Sequence, residues 1–395
     1  MKKAIIVGGA NGIGAGVARA LIEKGYFALI LDKCEPCENE LPSESYEYIK
    51  CNLRNSNEEL FNSLACDSEI EVLMLTAGYG RVADFEYIHT AEIQNMMQVN
   101  TVSTIKIIRH FYDKIKSSTP FYTGVMGSIA GLVSSPAVSV YSATKAAICR
   151  FVEGVNIELE VAGVENRILN VAPGSIKGTK FNGGENNPQL TKALCNEIVE
   201  NMLARKDLFI PEYDEIYKGV IERYNENPHD FGVQSYTYKK DAGRIENKKG
   251  VRIGYLSGTF DLFHLGHLNL IRKAKDYCDY LIVGVHSDAS HKGKKTFIPF
   301  EERMEVVGGC KYVDKVVGCR REDSDAWDDL HYDVLFVGSD YKGTERFKKY
   351  EEFFASKGVE IVYFDYTQGT SSTQIRETII RETLAELEEA RGIIK

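Results

Sequence analysis

The strongest constraint on this chain is a rhythm that runs, stops and starts again. Across residues 1–200, β-type apolar runs alternate with helical stretches. AIIV (4–7), ALILD (28–32), EVLMLTAG (71–78), FYTGVMGS (121–128) and NRILNVAPG (166–174) read as strands. Between the first two lies GVARALIEKG (16–25), where Val17, Ala18, Leu21 and Ile22 fall at helical spacing. Residues 225–250 turn polar and glycine-containing, and a linker is expected near 240–250. VRIGYLSG then restarts the rhythm, with YLIVGV (280–285), DVLFVGSD (333–340) and VEIVYF (359–364) as later strands. A charged amphipathic helix is expected over 371–392, with Ser371 and Gln374 in a capping-box pattern.

Strands that alternate with helices need crossover connections, hence a parallel sheet covered on both faces. The expected class is α/β: two Rossmann-like, doubly wound parallel-sheet domains in tandem, over residues 1–245 and 250–395. In such sheets the ligand lies beyond the carboxyl ends of the strands.

Bulk properties narrow the chemistry. The chain has 395 residues, and 48 basic against 57 acidic side chains leave a formal charge of −9. That balance argues against coating nucleic acid while leaving room for local phosphate pockets. Nine cysteines, scattered and odd in number, suit free thiols in a reducing cytoplasm better than a disulfide framework. 34-CEPC-37 has metal-like spacing, but no second CxxC completes a four-ligand site, and no metal site is expected. MKKAIIVGGA imitates a signal peptide, yet its apolar run ends at Gly8-Gly9 and reads as a buried strand. No run approaches 18 apolar residues, so membrane insertion is not expected.

Two groups of residues carry chemistry. In the first half, Gly8-x3-Gly12-x-Gly14 follows the first strand and opens a helix. Glycines there permit a tight turn and close approach to a pyrophosphate, and the helix N-terminus attracts anions. Asp32 ends the second strand, where a carboxylate accepts ribose hydroxyls and repels the extra phosphate of NADP; NAD(H) is therefore expected over NADP(H). Tyr141 and Lys145 stand at i and i+4 on one helix face, with Ser128 thirteen residues before Tyr141. A lysine ammonium is expected to lower the tyrosine pKa, so that Tyr141 exchanges a proton with a substrate oxygen. Ser128 is expected to hydrogen-bond the same oxygen.

On these motifs, residues 1–240 resemble a short-chain dehydrogenase/reductase. The resemblance implies that Asn100, in 97-MQVNT-101, is the fourth catalytic residue, in a proton relay with water and the lysine. It implies that Ala77 and Gly78 line the cofactor and that PGSIKGT (173–179) covers the nicotinamide. Two departures stand out: the family's Asn-Asn-Ala-Gly is Leu75-Thr76-Ala77-Gly78 here, and its acid near the adenine is Asn52.

In the second half, GTFDLFHLGH (258–267) reads as a strand entering a turn, with His264 and His267 at the start of a helix. HxxH places two rings on one helix face, which suits a metal or a phosphate. No third metal ligand has convincing spacing, whereas the glycine turn and helix N-terminus favour phosphate. Lys292 and Lys294 in KGKK, Arg303 in FEER, and Ser371, Ser372 and Thr373 in GTSST add cations and hydroxyls.

Together these residues resemble the cytidylyltransferases of the glycerol-3-phosphate type, over roughly 250–380. The resemblance implies that His264 and His267 stabilise the transition state at the α-phosphate of CTP. It implies that Gly258, Thr259 and Phe260 form the nucleotide turn, that Lys292 and Lys294 hold phosphates, that Arg303 assists, and that Mg²⁺ accompanies CTP. Tyr366 stands where the second signature normally begins with Arg, and Arg346 is a candidate replacement.

A reductase joined to a cytidylyltransferase implies consecutive steps on small molecules: a keto-sugar phosphate reduced to an alditol phosphate, then coupled to CTP. Ribulose 5-phosphate is the first choice; glycerol 2- or 3-phosphate products, and a reductase fold acting only as scaffold, are the alternatives. Lys177, Lys180, Arg205 and Lys206 are candidates for the keto-sugar phosphate. Both families assemble through helices, so a homo-oligomer, dimer or tetramer, is expected in the cytoplasm.

Overall fold

The computed structural model describes residues 2–37, 41–54, 57–179, 181, 185–248, 250–287, 295–320, 322–365 and 372–393. The chain divides into two compact units, Met1–Lys249 and Gly250–Lys395.

The first unit holds seven parallel strands: β1 (Lys3–Val7), β2 (Phe27–Asp32), β3 (Tyr46–Lys50), β4 (Ile70–Leu75), β5 (Tyr122–Met126), β6 (Ile168–Val171) and β7 (Leu208–Phe209). Their order is β3-β2-β1-β4-β5-β6-β7. Side-chain alternation splits each strand between two cores. Ile5 and Val7 join Leu29, Leu31, Leu73 and Ile148 on one face. Ala4 and Ile6 join Ala28, Ile30, Val72 and Ile198 on the other. Such double burial explains why these strands read as unbroken apolar runs. Full burial of one such isoleucine stabilises the fold by about 1.5–3 kcal/mol.

Helices α1 (Gly12–Glu23), α2 (Glu58–Cys66), α3 (Thr90–Met97), α4 (Ser103–His110), α5 (Tyr112–Ile115), α6 (Ser139–Val161), α7 (Pro188–Leu203), α8 (Lys218–Glu226) and α9 (Pro228–Asp241) complete this unit. A π-helical turn, Gln98–Val102, joins α3 to α4. The strands β3 and β7 were not expected from sequence. Both are edge strands; β3 is YEYIK, half exposed and without an apolar run, and β7 is two residues long. Part of the expected linker is held on this unit. Glu246 N–H donates to Val82 O at 2.8 Å, and Asn247 Nδ2 donates to Asp84 Oδ2 at 2.7 Å.

The second unit has five parallel strands, β8 (Ile253–Gly258), β9 (Tyr280–Val285), β10 (Lys315–Gly318), β11 (Val334–Gly338) and β12 (Glu360–Phe364), ordered β10-β9-β8-β11-β12. Its helices are α10 (Leu265–Asp276), α11 (Phe300–Gly308), α12 (Asp323–Leu330), α13 (Glu345–Ser356) and α14 (Ser372–Ile393). Leu256 packs with Ile271, Val283 and Val307 on one face, while Tyr255 stacks on Tyr332 at 4.9 Å on the other. Strand order reverses beside β8, so the ligand crevice of this sheet opens at the end of β8, where GTFD begins.

Candidate active sites

The first site is built on the carboxyl ends of β1, β2, β4 and β5. Gly8 follows β1 at φ +84°, a left-handed conformation that side chains resist. A Cβ there would lie 2.5 Å from Ala77 N, and one on Gly14 would lie 2.1 Å from Gly8 O. The turn is therefore packed backbone against backbone. Thr76 supports it: its hydroxyl donates to Val7 O at 2.9 Å and Gly8 O at 3.1 Å. This gives the departure from the family's Asn a structural use. Asp32 lies beside the turn, accepting from Ala10 N–H at 3.1 Å and Cys34 N–H at 3.4 Å. Asn52 closes a local turn, its Oδ1 accepting from Arg54 N–H at 3.1 Å. A cradle with no room for side chains, a helix N-terminus and a strand-ending carboxylate fit a dinucleotide.

The chemistry residues converge at the far end of β4 and β5. Tyr141 sits in the first turn of α6 and Ser128 just past β5. Ser128 stands close enough to lower the Tyr141 pKa, while its hydroxyl donates to Pro173 O at 3.4 Å. Gly80 lets the chain pass over the tyrosine, since a Cβ there would lie 2.7 Å from Tyr141 Cδ2. Burial pushes the Tyr141 phenol up to about 12, and the nearby Ser128 only partly opposes this. Lys145 is 3 % exposed, donates to Met126 O at 2.7 Å, and lies 5.7 Å from the Tyr141 ring centroid. Burial pulls its amine down to about 8. The expected depression of the tyrosine by the lysine does not appear, and burial sets the direction of the shift. Tyr141 stays a proton-bearing acid, the form that a carbonyl reduction uses.

Asn100 lies within the π-helical turn, a feature often found at functional sites. Its amide donates to Tyr79 O at 2.8 Å and Thr144 Oγ1 at 3.0 Å, while Oδ1 accepts from Tyr79 N–H at 3.0 Å. Thr144 in turn donates to Tyr141 O at 2.7 Å. Asn100 therefore joins the loop after β4 to the helix that carries Tyr141 and Lys145. A Cβ on Gly78 would lie 3.3 Å from both Asn100 Oδ1 and Lys145 Nζ, so these two groups flank one point. Residue type alone points to neither Thr144 nor Gly80; their signal is position, one between Tyr141 and Lys145 and the other just past Ala77-Gly78.

The segment 173–179 runs from one end of this site to the other. Pro173 O accepts from Ile129 N–H and from the Ser128 hydroxyl, while Thr179 stands 3.8 Å from a Cβ on Gly12. Two of the phosphate candidates lie elsewhere. Arg205 and Lys206 precede β7 at the amino end of the sheet, and Arg205 pairs with Glu165 at 2.9 Å over the Tyr122 ring. Lys177 is exposed, and Lys180 lies outside the described residues.

The second site begins at the end of β8. Phe260 and Leu262 both adopt left-handed backbone, at φ +52° and +50°. Strain at two non-glycine residues in one short turn is the kind that functional sites retain. His264 is the N-cap of α10: its Nδ1 accepts from Gly266 N–H at 3.0 Å, and His267 Nδ1 accepts from His264 N–H at 3.4 Å. A backbone N–H can only donate, so each Nδ1 is deprotonated and each neutral ring carries its proton on Nε2. The rings stack at 4.0 Å, and burial lowers the His264 pKa. Two parallel imidazoles with Nε2–H groups form a paired donor for an anion.

Arg303 is placed differently from the expected phosphate contact. It is 1 % exposed and donates to Ile298 O, Thr259 O, His286 O and Ser287 O. Its guanidinium thus holds the turn from within. Arg346 is also committed, pairing with Glu322 at 3.0 Å and donating to Tyr350 OH at 3.0 Å. Lys292, Lys294, Tyr366 and Ser371 lie outside the described residues, as do the side chains of Ser372 and Thr373 at the start of α14. Among the described residues, no group of three or more His, Cys, Asp or Glu is arranged to hold a metal ion. No described helix is long and apolar enough to cross a membrane.

Comparison with known proteins follows this division. Residues 2–190 match the family described as short chain dehydrogenase, and residues 255–381 the family described as cytidylyltransferase-like. The glycerol-3-phosphate cytidylyltransferase of Bacillus subtilis is 35 % identical over 126 residues, 31 % of this chain and 92 % of that protein. Its counterpart in Staphylococcus aureus is 33 % identical over 129 residues, 31 % of this chain and 90 % of that protein. The bifunctional protein HldE of Klebsiella pneumoniae is 34 % identical over 158 residues, which span 39 % of this chain but only 33 % of HldE. Among solved structures, a short-chain dehydrogenase from Sphingobium yanoikuyae in complex with NADPH is similar at 19 % identity and a TM-score of 0.47, covering 57 % of this chain and 96 % of that one. Through residues 255–381 the chain belongs to the cytidylyltransferase-like family, with a short chain dehydrogenase domain before it, and so is an oxidoreductase joined to a nucleotidyltransferase.

Proposed function

We propose that this chain reduces a keto-sugar phosphate, ribulose 5-phosphate first, and couples the resulting alditol phosphate to CTP. The products are CDP-ribitol and pyrophosphate, and the role is supply of an activated alditol for surface polysaccharide. One observation carries the reading: Tyr141 with Ser128 and a buried Lys145 beside it, and a pair of stacked histidines at a helix N-terminus, stand in one chain.

In the reductase, Gly8, Gly12, Gly14, Ala77 and Gly78 would hold the dinucleotide, and Asp32 its adenosine ribose, which favours NAD(H). The nicotinamide supplies the hydride when bound. Ser128 orients the substrate carbonyl oxygen, and Tyr141 gives that oxygen its proton. Lys145 supports the phenolate left behind, and Asn100 keeps the helix carrying both in register with the loop after β4. In the transferase, CTP binds with Mg²⁺. An oxygen of the alditol phosphate attacks the α-phosphorus, the bond to the β-phosphate oxygen breaks, and pyrophosphate leaves. His264 and His267 donate Nε2–H to the α-phosphate as charge builds, and Arg303 holds the turn that presents them.

A second reading has a specific basis. The relatives over the second unit are named for glycerol 3-phosphate, so a glycerol phosphate acceptor, with a triulose phosphate as the keto substrate, is the alternative. Two assays decide. NADH absorbance is followed with ribulose 5-phosphate and with dihydroxyacetone phosphates, and pyrophosphate release from CTP is followed with ribitol 5-phosphate and glycerol 2- and 3-phosphates. Turnover confined to the five-carbon pair supports the first reading, and turnover confined to the three-carbon pair the second. Loss of no NADH with any keto-sugar phosphate would remove the reductase half and leave that unit as a scaffold.

A further inference from the structure

Two loops flank Tyr141, and both are held by residues beyond the stretch that matches the short chain dehydrogenase family, which ends at residue 190. One loop, 79–88, follows β4. Its Gly80 passes over the Tyr141 ring, and its Tyr79 is held both ways by Asn100. The other, 135–138, leads into α6, which carries Tyr141 in its first turn. The loops meet where Ala83 N–H donates to Ala137 O at 2.7 Å, and Ala137 is left-handed at φ +61°. Such strain at a non-glycine residue persists where the surroundings over-determine it. Arg81, Ala83 and Phe85 from one loop, Ala137 and Val138 from the other, and Tyr141 itself line one small cavity.

Helix α9 and the segment after it grip both loops. Gly232, Tyr236 and Lys239 fall at i, i+4 and i+7, one stripe of α9. Gly232 packs on the second loop, where an added Cβ would lie 3.7 Å from Pro136 Cγ. The Tyr236 hydroxyl donates to Asp84 Oδ1 at 2.9 Å. Lys239 Nζ donates to Ser135 Oγ and to Pro136 O, each at 2.7 Å. Past the helix, Asn247 and Asp84 pair reciprocally. Asn247 Nδ2 donates to Asp84 Oδ2 at 2.7 Å, and Asp84 N–H donates to Asn247 Oδ1 at 3.0 Å. On either side, Glu246 N–H donates to Val82 O at 2.8 Å, and Arg81 Nη2 donates to Lys248 O at 2.7 Å. Connecting loops are ordinarily the mobile part of a surface. These two are instead fixed by partners more than a hundred positions away in the chain.

We infer that residues 232–248 form a strap that sets the walls of the reductase site, and that Asn247, acting through Asp84, is a positioning residue for Tyr141. The inference rests on the reductase reading of the first unit. Catalytic geometry tolerates little slack, since a displacement of about 1 Å can cost on the order of 10²-fold in rate. Asp84 anchors the far part of the loop whose near part lies on the Tyr141 ring, so releasing Asp84 frees the wall beside the phenol.

The test uses the full chain and an exchange of partners. Asn247→Asp sets two carboxylates face to face, and Asp84→Asn sets two amide donors face to face. The double variant Asp84→Asn/Asn247→Asp restores the set. Its amide donates to the new carboxylate and accepts from Tyr236, and that carboxylate accepts from the backbone N–H of position 84. NADH oxidation is followed with ribulose 5-phosphate and with dihydroxyacetone phosphates, and kcat is counted per NADH-binding site. Each single variant is expected to lose roughly 10- to 100-fold in kcat, with NADH affinity and pyrophosphate release from CTP unchanged. The double variant is expected to recover most of the loss. Hydrogen exchange at the amides of 79–88 and 135–142 reads the strap without substrate, faster in each single variant and restored in the double. Should Asn247→Asp no longer bind NADH, Asn247→Ala deletes the pair without repulsion and is expected to lose kcat per site in the same direction. A kcat per site that holds in the single variants overturns the inference, even where the melting temperature falls, and so does a loss that the double variant leaves unrepaired. A parent chain that oxidises no NADH with any keto-sugar phosphate overturns the substrate reading instead, and the exchange rates then decide: rates equal in parent and single variants overturn the strap.

Discussion

Lys145 is the residue whose removal should strengthen the fold while ending its chemistry. Burial lowers its amine from 10.5 to about 8, so at pH 7 the folded unit carries a charge that its surroundings disfavour. The difference corresponds to about 3 kcal/mol. Replacing Lys145 by Met removes the charge and keeps a flexible chain of similar length. It also removes the hydrogen bond to Met126 O, which offsets about 1–2 kcal/mol of the gain. A net stabilisation of about 1–2 kcal/mol is expected at pH 7, or roughly 2–8 °C in the melting temperature of that unit. The pH dependence follows from the sign. The folded pKa is the lower one, so between about 8 and 10.5 the unfolded chain holds the extra proton. Wild-type stability therefore rises across that window relative to Lys145→Met, and the advantage of the variant shrinks. Scanning calorimetry of both proteins at pH 7 and pH 10 measures it. Equal melting temperatures at pH 7, or a difference that does not shrink at pH 10, would refute the reasoning. Reduction of the keto-sugar phosphate should be lost in the variant at either pH.

Other outcomes follow from the same geometry. In wild-type protein, kcat for reduction should fall as pH rises through about 8, where Lys145 loses its charge, while Tyr141 keeps its proton up to about 12; a stopped-flow pH series checks this. Gly14→Ala places a methyl 2.1 Å from Gly8 O and should abolish NADH binding in fluorescence titration while CTP binding persists. His264→Asn keeps a good helix N-cap, so the melting temperature should hold within a few degrees. It removes one Nε2 donor, so pyrophosphate release from CTP should drop roughly 10²- to 10³-fold.

Much of this protein was legible in one dimension. Strands buried on both faces must be apolar throughout, and helices that cover them must be apolar on one stripe, so β1, β2, β4, β5, β8, β9 and β11 announce themselves. Turns that admit only glycine announce themselves too, and so does a Tyr–Lys pair, because i and i+4 share a helix face. All of these rest on local geometry, which neighbouring residues dictate. Edge strands such as β3 and β10 escape that logic, since a half-exposed strand need not be apolar.

What only the tertiary structure decided are the contacts between distant residues. Arg303 reads as a cation beside a phosphate site, and only folding shows it enclosed by carbonyls from residues 259, 286, 287 and 298. Arg205 reads as a neighbour of the substrate until the strand direction puts it at the amino end of the sheet. The protonation of Tyr141 turns on burial, which raises its pKa although a lysine stands four residues away. Asp84 and Asn247 lie 163 positions apart, and no periodicity links them. A sequence records which groups a chain owns and which of them are neighbours on one helix or strand. Desolvation and long-range pairing exist only once the layers close, and in this chain they decide what each charged group is left to do.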